Sequence, residues 1–396
     1  MTTFQDFALP EALQHKLDAL GFDKPTPVQE RAIPAALEHR DILGSAQTGT
    51  GKTAAFSIPL LTKIMNHADV YGIIVTPTRE LALQVDEQIR AFLSAKSKIR
   101  SVVLIGGASI ERQVQALGKR PKIVVGTPGR IIDHLERKSL DLSGFNYVVL
   151  DETDRMLDMG FSAPIAEIFS HVSKERQTLL FSATLPKNIQ KISAQYLQNP
   201  VRIEMGQVNS VGDNIVQSTQ FVSKDGKFEM LVDALREHDQ SAIVFMNSKF
   251  ATEKMAKRLK SAGITAEAIH GDLRQSKRER VISNLRDNKF RVLVATDVAA
   301  RGIDVPHIHQ VINFDLPRQT EDYIHRIGRT GRNGAQGIAL NLATRDDMEK
   351  LNDIERLINP NAAKSAHNRP AGKPARKKPQ AKGRWRNKKS NRARAA

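Results

Sequence analysis

The stretch Ala46-Gln47-Thr48-Gly49-Thr50-Gly51-Lys52-Thr53 decides how the rest of the chain is read. Gly49 and Gly51 let the backbone curl with its N–H groups facing inward, and a helix opening after them adds the positive end of its dipole. Such a strand–loop–helix cradles phosphates, with Lys52 reaching the β- and γ-phosphates and the Thr53 hydroxyl ligating Mg²⁺. Ala46 stands where the strict pattern has glycine, and a glycine-rich turn beside a solvated lysine is the plainer alternative. A second feature bears on the choice: Tyr147-Val148-Val149-Leu150 runs straight into Asp151-Glu152. An acid at a strand end can hold Mg²⁺ while its neighbour orients or deprotonates a water, although paired acids are also common at helix starts. Loop and acids together, expected on neighbouring strands, imply a site that binds and hydrolyses a nucleotide.

Around these two points, short apolar runs at 72–75, 122–125, 147–150 and 178–181 alternate with helix-patterned stretches such as 80–93 and 163–172. Runs of four or five apolar residues suit strands buried on both faces, and the alternation predicts a parallel sheet of βαβ units. The pattern restarts with strands at 242–245, 266–269, 292–294, 310–313 and 338–342, and helices at 250–262 and 276–287. We therefore expect two α/β domains, 1–205 and 215–358, joined by a linker at 206–214 rich in Gly, Asn and Ser. From 359 to 396 the chain loses its large apolar residues apart from Trp385 and is expected to be disordered alone.

Composition narrows the partners. The net charge is +17, yet residues 361–396 hold 13 Lys and Arg and no acid, leaving 47 basic against 43 acidic residues elsewhere. The excess belongs to the tail and points to a polyanion, nucleic acid more than a membrane surface, because the tail has no amphipathic apolar face. Trp385 among these cations could stack on a base. The absence of Cys excludes disulfides, thiolate metal sites and a Cys nucleophile. With neither a signal-like start nor an apolar run of ~18 residues, a soluble, cytoplasmic protein is expected.

A longer series of motifs appears in a fixed order. It begins with Gly21-Phe22-Asp23-Lys24-Pro25-Thr26-Pro27-Val28-Gln29, then the phosphate loop, Pro77-Thr78-Arg79-Glu80-Leu81, Gly106-Gly107 and Thr127-Pro128-Gly129-Arg130. Asp151-Glu152-Thr153-Asp154 and Ser182-Ala183-Thr184 complete the first half. The second carries Gln275 with Arg278, Ala295-Thr296-Asp297, Arg301-Gly302-Ile303-Asp304, and His325-Arg326-Ile327-Gly328-Arg329-Thr330-Gly331-Arg332. In this the chain resembles a DEAD-box ATP-dependent RNA helicase of the bacterial short-tailed, RhlE-like type, over residues 4–345. One departure is Thr153, where the family has Ala.

The resemblance implies two tandem RecA-like domains, ATP and Mg²⁺ as ligands, RNA as partner and a monomeric core. It implies that Gln29 reads adenine and Phe4 stacks on it, that Gly49, Thr50, Gly51, Lys52 and Thr53 hold the phosphates, and that Gly302 and Asp304 meet the nucleotide, Asp304 at the ribose. Asp151 (with Thr53) would hold Mg²⁺, Glu152 would act on the water, and Arg329, Arg332 and His325 would meet the γ-phosphate region. Ser182, Thr184 and Asp154 would couple ATP state to RNA grip. RNA contacts would fall to Arg79, Gly107, Thr127, Gly129, Arg130, Gln275, Arg278, Thr296 and Asp297, mainly at the backbone and 2′-OH. The implied activity is local unwinding of short duplexes or remodelling of RNA–protein complexes; the alternative is an ATP-gated RNA clamp or annealing chaperone.

Overall fold

The computed structural model describes residues 2–46, 49–205, 214–300, 305, 307–331 and 335–358. The expected linker at 206–213 and the basic tail lie outside the described residues, as do Gly302, Asp304 and Arg332.

Two parallel sheets organise the chain. The first has β1 (Ile42–Ser45), β2 (Gly72–Val75), β3 (Ser101–Leu104), β4 (Ile123–Gly126), β5 (Tyr147–Leu150), β6 (Gln177–Ser182) and β7 (Val201–Glu204), in the order β3-β4-β2-β5-β6-β1-β7. The second has β8 (Ile215–Phe221), β9 (Ala242–Phe245), β10 (Ala266–Ile269), β11 (Val292–Ala295), β12 (Gln310–Asn313) and β13 (Gly337–Ala343), in the order β10-β11-β9-β12-β13-β8. Both are doubly wound α/β sheets of the RecA-like kind, as expected. The central strands Ile42–Ser45, Gly72–Val75 and Tyr147–Leu150 are buried at every residue. Each is sandwiched between helices that pack their apolar stripes on the two faces.

Helices fall within one or two residues of expectation, at Arg79–Ala91, Ser162–His171, Lys249–Ser261 and Gln275–Arg286. The sheet order differs in one respect that matters for the site. The phosphate loop leaves β1 and the acidic pair leaves β5, but β6 lies between them. The two are therefore not on neighbouring strands. The strand that separates them ends in Ser182, so Ser182-Ala183-Thr184 stands between loop and acids. Among the described residues no helix is long and apolar enough to cross a membrane.

Candidate active site and nucleic-acid interface

The loop after β1 is shaped by two glycines in the left-handed region, Gly49 at φ 83 and Gly51 at φ 92. Gly51 caps the helix Lys52–Asn66, whose first residue is Lys52. Lys52 is buried, and its Nζ donates to the Ala46 carbonyl at 2.9 Å, folding the side chain back into the cradle. The loop is gripped from outside by the helix Pro27–Leu37. Thr26 Oγ1 donates to the Thr50 carbonyl at 2.7 Å, and Gln29 Nε2 donates to the Gly51 carbonyl at 3.1 Å. Gln29 Oε1 accepts from Thr26 N–H at 2.9 Å. A side chain at Gly51 would run into the Gln29 amide, so both the φ and the space demand glycine. Gln29 thus ties the N-terminal motif to the phosphate loop with both ends of its amide.

Phe4 does not stand open for stacking. It is 1% exposed, with its ring edge-on to Phe7 and Phe22 at 5.6 Å, and belongs to the core of the first sheet. The apolar burial of three phenylalanines outweighs presentation of one to a base.

At the end of β5, Asp151 and Glu152 are both buried. Glu152 takes a left-handed backbone (φ 50, ψ 49), and the helix Thr153–Asp158 starts directly behind it. That turn folds Arg155 back onto Glu152, with Nη1 to Oε2 at 2.8 Å. The adjacent carboxyls are thereby set apart. Burial pushes Asp151 up to about 6, with Lys52 acting against it. Burial would raise Glu152 as well, but Arg155, Arg329 and Lys52 outweigh it and hold its carboxyl below the ordinary range. Arg329 is buried on the second sheet's side, its Nε donating to the His325 carbonyl at 3.1 Å. Arg329, just after the helix Glu321–Ile327, lines the same small cavity as Arg155, whose guanidinium holds Glu152. His325, half-buried, lines the same cavity as Arg329 and Arg155.

Asp154 closes the link to β6. Its Oδ2 accepts from Ala183 N–H and Thr184 N–H at 3.0 Å each, and from the Thr184 hydroxyl at 3.1 Å. Ser182 Oγ donates to the Thr184 carbonyl at 2.6 Å. Thr153, the departure from the family pattern, is fully buried and donates to the Phe181 carbonyl at 3.1 Å. The hydroxyl adds one more tie between the acidic turn and β6 and faces away from the chemistry. Thr153→Ala is therefore expected to lower stability by about 1 kcal/mol. Thermal unfolding and steady-state ATPase assays check this; a tenfold loss of turnover would show that the hydroxyl takes part in the reaction.

A second cluster spans both sheets. The Arg79 guanidinium lies over Gly106 and Gly107, where a Cβ on Gly107 would sit 2.5 Å from Nη1 and 3.5 Å from Gln275 Cβ. Arg79 Nη1 reaches Gln275 Oε1 at 3.5 Å, and Arg278 Nε pairs with Glu80 Oε1 at 2.8 Å. Arg130 donates to the Ala108 carbonyl at 3.3 Å, beside Thr127 at the start of the helix Pro128–Glu136. Gly129 has open space where a side chain would be. At the end of β11, Thr296 is half-buried, and both oxygens of Asp297 are taken by Arg326 at 2.5 and 2.7 Å. Of the residues expected to touch RNA, Arg79, Gly107, Gln275 and Arg278 meet along the seam between the two sheets. Three residues that shape these sites had no assigned part: Glu80, Arg155 and Arg326. A basic residue three positions after an acid at a strand end was the one signal for Arg155.

Comparison with known proteins shows the family and the fold. The profile of the DEAD/DEAH box helicases matches residues 26–192, and that of the helicase conserved C-terminal domain matches residues 226–334. The DEAD-box ATP-dependent RNA helicase CshA of Geobacillus kaustophilus is 44% identical over 358 residues, 90% of this chain and 76% of that one. Among solved structures, Mss116p bound to ssRNA and AMP-PNP superposes with a TM-score of 0.83 at 31% identity, over 90% of this chain and 78% of that one. A DEAD box protein from the hyperthermophile Methanococcus jannaschii is 40% identical over 90% of this chain and 97% of that one, with a TM-score of 0.54.

Proposed function

The chain belongs to the DEAD/DEAH box helicases, and on that premise we propose that it unwinds short RNA duplexes locally, or remodels RNA–protein complexes, by closing two domains on each other around ATP and RNA. As a member of this family it is an RNA-stimulated ATPase. The observation that carries the closure is the buried ion pair across the seam, Arg278 with Glu80 at 2.8 Å. The higher TM-score against the less identical RNA-bound protein supports it, since two similar domains lose overlap when their mutual placement differs.

In this reading ATP draws Lys52 from the Ala46 carbonyl onto its phosphate oxygens, while Gly49, Thr50, Gly51 and Thr53 hold the rest of the chain of phosphates. Gln29 meets adenine from the edge of the loop that it already grips. Asp151 and the Thr53 hydroxyl offer two oxygen donors for Mg²⁺. That suits an ion that takes few protein ligands. Bound there, Mg²⁺ would neutralise charge on the β- and γ-phosphates. Glu152, kept ionised by its cations, orients and deprotonates the attacking water. Arg329, with Arg332, meets the charge that develops on the γ-phosphate, and His325 bridges the two sides. Asp154, holding Ser182 and Thr184, passes the state of this site to the seam, where Arg79, Gly107, Thr127, Gly129, Arg130, Gln275, Arg278, Thr296 and Asp297 engage the RNA backbone. The basic tail serves as an extra RNA tether for a monomeric core, in the cytoplasm.

Matched RNA and DNA duplexes test the reading, with ATPase stimulation and strand displacement both measured. RNA should stimulate at least tenfold more than DNA, because 2′-OH contacts separate the two. Equal stimulation by DNA sinks the RNA assignment. Stimulated hydrolysis without displacement favours the ATP-gated clamp.

A further inference from the structure

Arg155 is one of the largest fully buried side chains in the protein, and only one of its nitrogens is satisfied. Nη1 holds Glu152, whereas Nε and Nη2 are buried with no hydrogen-bond partner. Leaving two guanidinium donors unpaired in the interior costs on the order of 1–3 kcal/mol each. The cost is met only if something completes them. Both donors belong to a side chain that lines a cavity of about 10 Å³. The far wall of that cavity comes from the second sheet's elements: Asp297, Asp322, His325, Arg326 and Arg329. A space of that size takes one water, and a water needs polar partners on more than one side. Arg155 supplies donors, and the Asp297 and Asp322 carboxylates on the far wall supply acceptor oxygens.

We infer that Arg155 is a positioning residue that makes the aim of Glu152 depend on closure: one nitrogen fixes Glu152 Oε2, and the others bridge through a single water to Asp322 and Asp297 across the seam. With the sheets apart the bridge is broken, and the guanidinium is free to swing with the glutamate it holds. With the sheets together both ends are fixed, and Oε1 is left pointing at the attacking water. Lysine cannot replace this arrangement, because a single ammonium lacks the planar fork that spans two partners at once.

The inference rests on the reading of Glu152 as the group that acts on water, so Glu152→Gln is assayed in parallel on the full chain. Arg155→Lys is expected to lower the RNA-saturated kcat about 10²-fold, the scale of a misaimed catalytic group, with the KM for ATP little changed. Asp322→Asn should lower kcat in the same sense, and the double variant should be no slower than Arg155→Lys alone. A side chain that merely supports the fold would lower Tm, and its effect on rate would multiply with that of Asp322→Asn. The inference is overturned if Arg155→Lys keeps kcat within about threefold of wild type, or if the two effects multiply. Should Arg155→Lys not fold, Asp322→Asn decides alone: a fall in kcat at unchanged Tm supports the bridge, and an unchanged kcat removes it. If Glu152→Gln hydrolyses ATP at the wild-type rate, the assignment of Glu152 fails instead.

Discussion

Glu152→Gln should lower RNA-saturated ATP hydrolysis by about 10²–10⁴-fold, the range a positioned general base contributes. The size follows from the geometry. Glu152 is buried at the head of a helix, anchored through Oε2 by Arg155 and held ionised by Arg155, Arg329 and Lys52. Glutamine keeps the shape and can still accept from Arg155, so the loss isolates the proton-accepting carboxylate. ATP binding, which the loop and Gln29 govern, should persist. Single-turnover hydrolysis and nucleotide titration on the same preparation check both halves. A variant within tenfold of wild type would place the water elsewhere.

The second large effect concerns the seam. Arg278 and Glu80 lie 198 positions apart in the chain and pair at 2.8 Å, with side chains only 6% and 3% exposed. Removing one partner of a buried pair strands the other charge, at a cost of about 3–5 kcal/mol. On the proposed closure, both groups return to water in the open arrangement, so the cost falls on closure and not on the folding of either domain. Glu80→Ala should therefore raise the RNA concentration needed for half-maximal ATPase stimulation by about 10²-fold or more. Dyes placed on the two domains should report less closure at a given RNA concentration, while Tm stays close to wild type. Unchanged closure in Glu80→Ala would show that the contact follows closure without stabilising it.

This pair also marks where the sequence stopped being readable. Central strands such as β2, β5, β9 and β12 announce themselves because burial on both faces demands an unbroken apolar run. The edge strands β3, β7 and β8 did not. Val201–Glu204 alternates between buried and exposed, and Ile215–Phe221 is mostly exposed and polar, so their pairing comes from the neighbouring strand and not from their own residues. The phosphate loop and the acidic pair were legible as motifs, but their separation by β6 was not, since strand order is set by long-range packing. Likewise Gln29 declares an amide, and only the fold shows both ends of it bound within the loop and its own helix. Arg278 with Glu80, and Arg155 beneath the seam, are contacts between distant or locally silent positions that no period in the sequence encodes.

The left-handed turn at Glu152 has a further meaning for how this chain can vary. A side chain bearing a Cβ at φ 50 carries a standing cost of about 1–2 kcal/mol that Gly would not incur. Stability alone would fill the position with glycine or asparagine; on the role proposed for Glu152, the domain would then be harder to melt and unable to act on water. Six non-glycine residues hold such a backbone among the described residues, and at Glu152 the strain falls on the group proposed to act on water. Attempts to harden the enzyme against heat by relieving local strain would, at this turn, select for an inert one.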